Sequence, residues 1–118
     1  MNVEVSESVP GGSPLADRAG EHLVFQIDGE LLNGHRLRGP ISVVVACEQG
    51  GYVAHEPLTD LTGFGSTSTA ALDGLAKELV DTLSRLEGLG DRLAPRLVHQ
   101  RTVLRRIVAL RDAYRQHA

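Results

Sequence analysis

The sequence predicts an α+β fold, a small antiparallel sheet of three or four strands packed against two C-terminal helices. Three observations carry that expectation. His22 to Asp28 alternates apolar and polar side chains. Ile41 to Glu48 is a β-branched run, closed by a glycine pair and answered by a second strand-like segment. After Thr67, apolar residues recur at spacings of three and four. Period two marks a half-buried strand, and a mixed three-and-four spacing marks an amphipathic helix. Strands that come first and helices that follow indicate α+β rather than an alternating parallel sheet.

Residues 1–20 are rich in Gly, Pro, Ser and acidic side chains and offer little apolar surface, so they are expected to form a flexible leader. Residues 21–118 then form a single domain. In the first strand Leu23, Phe25 and Ile27 face one way, and His22, Val24, Gln26 and Asp28 the other. Asn33-Gly34 is a tight-turn signal, because a type I′ turn needs positive φ at both central residues; a short hairpin or a turn-rich linker satisfies it. Gly39-Pro40 breaks the chain before Ile41–Glu48. That run is apolar almost throughout, as expected of a central strand covered on both faces. Gly50-Gly51 reverses the chain into Tyr52–Glu56, and Pro57 ends the returning strand. Leu58 to Ser66 reads as a loop with room for a short third strand around Gly63-Phe64-Gly65.

Thr67 or Ser68 supplies a helix N-cap, since a hydroxyl there accepts a bond from an unpaired backbone N–H. The helix is predicted to about Glu87, with Leu72, Leu75, Leu79, Leu83 and Leu86 on one face, and Gly88-Leu89-Gly90 ends it. A second helix begins near Pro95, where a missing N–H does no harm. Leu97, Leu104 and Val108 form one of its stripes; Val103, Ile107, Leu110 and Tyr114 form the next. The combined face is wider than one sheet contact requires, so Val103, Ile107, Leu110 and Tyr114 are the candidate face for a homodimer.

A length of 118 residues suits one domain. With 3% aromatics and no Trp, the core must be built from Leu, Val, Ile and Ala. Cys47 is the single cysteine, which excludes an internal disulfide framework; mid-strand, it reads as buried and inert. No apolar run reaches the about 20 residues that span a bilayer, and Glu4 and Glu7 sit where a signal peptide would be basic. A cytoplasmic protein with no membrane partner is therefore expected. Charge is uneven. From residue 88 onward seven arginines meet only Asp91 and Asp112, a local +5 (7 − 2) in a chain of net −3. Such a tail fits either a solvated helix face or contact with nucleic acid or an acidic protein. Arg96, Arg101, Arg105 and Arg106 are its candidate contact residues. Aromatics to stack on bases are nearly absent, which disfavours readout of single-stranded RNA.

The middle of the chain resembles the HicB-like antitoxin lobe family. The residues that carry the likeness are Val43-Val44-Val45, Gly50-Gly51-Tyr52-Val53-Ala54, Pro57, Gly63, Gly65-Ser66-Thr67 and Ala71-Leu72, within residues 41–86. The resemblance implies a small ββ(β)α lobe without enzymatic activity that binds and blocks a small RNA-cleaving toxin, and many family members add a DNA-binding segment. This chain differs in three places. The loop between Pro57 and Gly65 is about one residue shorter than in the family. Ala70 stands where the family often places an acid. A second helix follows where the family lobe closes with a strand, and His22–Asp28 is a candidate to supply that strand from the front.

Chemistry elsewhere is sparse. His55 and Glu56 are neighbours on a strand and so point to opposite faces. Asp60 can approach His55 across the loop, the best acid–base pair the sequence offers and the basis of an enzymatic alternative. Cys and His show no metal-ligand spacing, and no cofactor is expected. Gly63-Phe64-Gly65-Ser66-Thr67 before a helix has a faint likeness to a phosphate cradle but lacks a P-loop lysine. The sequence therefore points first to a non-enzymatic, HicB-like protein-interaction module of antitoxin or regulatory type acting as a homodimer, with a small toxin-like protein as a further partner. The alternative is a nucleic-acid-binding regulator that uses the arginine-rich helix.

Overall fold

A computed structural model describes residues 1–8 and 22–110. The strands are β1 (Asn2–Ser8), β2 (His22–Asp28), β3 (His35–Leu37), β4 (Ile41–Glu48), β5 (Gly51–Glu56), β6 (Leu61–Gly65) and β7 (Val108–Leu110). The helices are α1 (Ser68–Leu89) and α2 (Pro95–Ile107), joined through a single 3-10 turn at Gly90–Arg92. Five strands form one antiparallel sheet in the order β1-β2-β4-β5-β6, and β3 pairs with β7 in a separate two-stranded ribbon. The fold is α+β, as the order of patterns predicts. Its main sheet has one strand more than the four expected at most: the strand anticipated around Gly63–Gly65 is β6, and β1 is the addition.

At the front, the leader expected over residues 1–20 is strand in its first part. β1 pairs antiparallel with β2, aligning Val3 with Ile27 and Val5 with Phe25, and a bulge interrupts the register between Val5 and Glu7. Val3 and Val5 supply the alternation that a count of polar residues hides. The remainder of that stretch lies outside the described residues. β2 also pairs with β4, so His22–Asp28 does feed the sheet from the front.

Two tight turns set the registers. Asn33 and Gly34 have φ of 54° and 77°, and the His35 N–H donates to the Leu32 carbonyl at 3.1 Å, the expected type I′ geometry. Gln49 and Gly50, at φ 42° and 81°, make the corresponding two-residue turn between β4 and β5.

The core lies on one side of the main sheet. Phe25, Ile27, Val43, Val45 and Ala54 face Leu72, Leu75, Leu79, Leu83 and Leu86 of α1, and Leu37, Leu104, Ile107 and Val108 close the cluster. Each buried leucine contributes roughly 1.5–3 kcal/mol of transfer free energy. α1 starts at the expected cap, where the Ala70 N–H donates to the Thr67 hydroxyl at 3.0 Å.

Three expectations are corrected here. The second helix stops at Ile107, and Val108–Leu110 pairs with His35–Leu37 instead of continuing the helix. Val103, Ile107, Leu110 and Tyr114 therefore do not make one helical stripe: Ile107 is buried in the core of this chain, Val103 is half-buried, Leu110 sits in β7, and Tyr114 lies outside the described residues. Cys47 is exposed rather than buried. It shares the parity of Val43 and Val45 but lies one step from the β4–β5 turn, beyond the cover of the helices. Finally, β4 is not buried on both faces, since Ser42 is exposed and Val44 and Ala46 are only half-buried.

Candidate functional site

One face of the main sheet is covered by the helices. The opposite face carries the other parity of every strand. Register places Val24, Val44, His55 and Thr62 in one row across β2, β4, β5 and β6. His22, Ala46, Val53 and Phe64 form the next row. Among the described residues no helix packs on this face. Its valines are half-buried, and Phe64, on the last strand, is 71% exposed. Phe64 thus ends a row in which Val53 and Ala46 are half-buried, and exposed apolar surface of this kind is a candidate for contact.

The geometry of β6 explains why Phe64 points outward. Gly63 and Gly65 alternate with it and face α1. A Cβ on Gly63 would fall 2.5 Å from the Ala71 carbonyl oxygen, and one on Gly65 would fall 2.5 Å from the Ala71 nitrogen. The Gly-Phe-Gly sequence is thus a strand that lets a helix backbone lie against it. This close packing accounts for the two glycines without a phosphate.

His55 and Asp60 do meet, with Nε2 and Oδ1 2.8 Å apart. Their side chains are 41% and 89% exposed, so water screens the pair. Glu56, on the opposite face, is 1% exposed and closes the β5–β6 loop. Its carboxylate accepts from the N–H of Leu58 at 2.8 Å, from the N–H of Thr59 at 2.7 Å, and from the Thr59 hydroxyl. The Thr59 carbonyl in turn accepts from Gln100 of α2 at 3.0 Å. Glu56 therefore serves the fold and does not join His55 and Asp60. No group of three or more His, Cys, Asp or Glu among the described residues is placed to hold a metal ion.

The four candidate arginines separate. Arg101 is half-buried, and its Nη1 donates to the Gly90 carbonyl at 3.1 Å while its Nε is buried without a partner among the described residues. Arg105 grips Glu87 of α1 through two nitrogens, with Nε to Oε2 at 2.7 Å, and its own carbonyl accepts from Arg38 Nε at 2.8 Å. The Arg105 hydrogen bond holds the Glu87 carboxyl below its ordinary value of 4.5, and the same bond raises Arg105. Both side chains thus fix α2 to the end of α1. Arg96 and Arg106 are exposed and make no ion pair among the described residues. The structure therefore brings two of the four into a packing role and leaves two on the surface.

Sequence reasoning did not single out Phe64, Val53 or Val44 as surface residues. The available signal was parity: Gly63 and Gly65 cannot both turn inward unless Phe64 turns outward. No helix among the described residues is long and apolar enough to cross a membrane. No family model, curated protein or solved structure matches the chain.

Proposed function

We propose that this chain is a non-enzymatic protein-association module, HicB-like in its middle segment, that acts in an antitoxin-type or regulatory role and as a homodimer. The observation that supports this most is Phe64, 71% exposed at the end of an apolar row through Val53 and Ala46. Aromatic side chains are enriched at protein interfaces, where a ring in a desolvated pocket supplies much of the binding energy. Water around His55 and Asp60 argues against proton-transfer chemistry there, since an exposed pair gains little from its mutual field. A small toxin-like protein is the further partner that the family resemblance suggests.

The test is association itself. Light scattering over a concentration series should give a mass above that of one chain, and capture with a toxin-like protein encoded beside this gene should succeed. Phe64→Ser should weaken whichever association is found while leaving the circular dichroism spectrum unchanged. A chain that stays monomeric and binds no protein would overturn the reading.

A second reading, nucleic-acid binding, has the support of Arg96 and Arg106, two exposed guanidinium groups on one basic helix. It loses the support of Arg105, which is paired with Glu87, and of Arg101, which is half-buried with Nη1 on the Gly90 carbonyl.

A further inference from the structure

Phe64 lies on the open face of the main sheet, and a second surface lies on the helix side. We propose, on the premise that this chain is an association module, that the groove between α1 and the β2–β3 connection docks a cationic, apolar segment of a partner protein. Such a segment carries large apolar side chains between arginines or lysines.

The groove has two walls. One is the β2–β3 connection, where Leu31 and Leu32 precede the Asn33-Gly34 turn. The other is α1 at Asp73, Ala76 and Lys77, and Met1 adds to the lining. The volume is about 570 Å³, within the about 300–1,000 Å³ usual for binding clefts. Met1 and Leu31 rest on the core with one side and line the groove with the other. Leu32 is not part of the core, and it is 44% exposed. Ala76 offers only a methyl group, so the helix wall is recessed between Asp73 and Lys77.

The turn wall is fixed before any partner arrives. The Leu31 N–H donates to the His35 carbonyl at 2.8 Å, and the His35 N–H donates to the Leu32 carbonyl at 3.1 Å. The Leu37 N–H donates to the Gly29 carbonyl at 2.8 Å, which closes the base of the turn. His35 Nδ1 lies 3.1 Å from the carbonyl oxygens of both Leu32 and Asn33. A wall held in this way has little conformational freedom left to lose on binding. The groove is open along one side rather than enclosed. That shape suits a stretch of chain lying through it better than a small molecule, whose sites bury most of the ligand.

Charge decides the kind of occupant. Glu30 and Asp73 are the acids of the lining, and Lys77 is the base among them. Lys77 Nζ lies 2.8 Å from Asp81 Oδ2, one turn along α1, so its charge is answered within the helix. Asp73 is exposed and makes no ion pair among the described residues. The sequence before residue 88 carries a net −8 (−3 − 5), which attracts cationic partners and repels polyanions. A second copy docked groove to groove would set the same two acids against each other, and a nucleic acid would bring phosphates to them. A segment with positive charges beside large apolar side chains meets Asp73 and the two leucines together.

Fluorescein-labelled hexapeptides test the site by anisotropy. One alternates arginine and leucine, one has glutamate in place of arginine, and one has serine in place of leucine. The arginine–leucine peptide is expected to bind, more weakly as salt rises, and the other two are not. Asp73→Lys, on the exposed face of α1, and Leu32→Ser, at the exposed turn, should each weaken binding about tenfold with an unchanged circular dichroism spectrum. Phe64→Ser, on the other side of the sheet, should leave peptide binding as it is. Equal binding of the glutamate peptide overturns the proposal, because charge then plays no part. Equal binding of the serine peptide overturns it too, because the apolar walls then play none. No binding by any peptide, or binding indifferent to both groove variants, overturns the site. In each of these cases an association that Phe64→Ser weakens leaves the association reading standing, whereas a monomer that binds neither peptide nor protein overturns both.

Discussion

Gly63 lies directly beneath the backbone of Ala71, so close that a single added methyl group would stand 2.5 Å from the Ala71 carbonyl oxygen. The strand and the helix are joined by only Ser66 and Thr67, so neither can move away alone. Gly63→Ala must then displace backbone rather than a flexible side chain. Overpacking of this kind costs about 3 kcal/mol or more. Gly88→Ala is the contrast: it lies within α1 with open space at its Cβ, and should stabilise the helix by up to about 1 kcal/mol. Urea unfolding of both variants checks the pair, and a Gly63→Ala midpoint equal to that of the parent chain would show that the helix does not rest on this strand.

Glu56 is the second position where a small change should be felt. Its two oxygens accept three bonds from Leu58 and Thr59, all within the β5–β6 loop. Glu56→Ala strands two backbone N–H groups beside a new cavity and should destabilise the chain by about 3 kcal/mol. Glu56→Gln keeps one accepting oxygen and should cost about 1 kcal/mol. The order of the two unfolding midpoints is the measurement, and equal effects would mean that the side chain acts by volume alone.

The legible parts of this fold were those where one physical signal dominates. β2, β4 and β5 follow from alternation and from glycine at the turns, and α1 follows from its leucine spacing. β6 was only half visible, because glycine is a poor strand former; the reason for Gly63 and Gly65 exists only where the helix touches them. β7 was hidden because Ile107-Val108-Ala109-Leu110 also fits a helix, and the competing partner, His35–Leu37, lies about seventy residues earlier. Proximity of Asp60 to His55 was legible, since the loop between them is short. The packing role of Arg105 was not, because its partner Glu87 is set by how α2 returns along α1.

That Arg105–Glu87 contact should give a pH dependence of definite sign. The carboxyl of Glu87 is held below its ordinary 4.5 in the folded chain by the Arg105 hydrogen bond. The unfolded chain therefore binds more protons in that range, and stability rises with pH there. The contribution is complete above the ordinary value and is lost as pH falls through the depressed one. Arg105→Gln should lower the thermal midpoint slightly at neutral pH, and the gap to the parent chain should close in acid. Salt should narrow it as well, since both groups are partly exposed. A gap that stayed constant with pH would assign the effect to packing of the Arg105 stem.

The remaining exposed arginines separate the two functional readings. Arg96 and Arg106 are the candidate contacts that the fold leaves available. Arg96→Ala/Arg106→Ala should leave stability nearly unchanged, whereas Arg101→Ala should lower it by removing the bond to the Gly90 carbonyl. Under the protein-association reading the double variant and the parent chain elute alike from immobilised duplex DNA. If instead the parent is retained and the double variant is not, two phosphate contacts have been lost. The slope of log affinity against log salt should then fall by about two. That result would move nucleic-acid binding ahead of protein association, because it assigns the surface arginines a ligand rather than solvent.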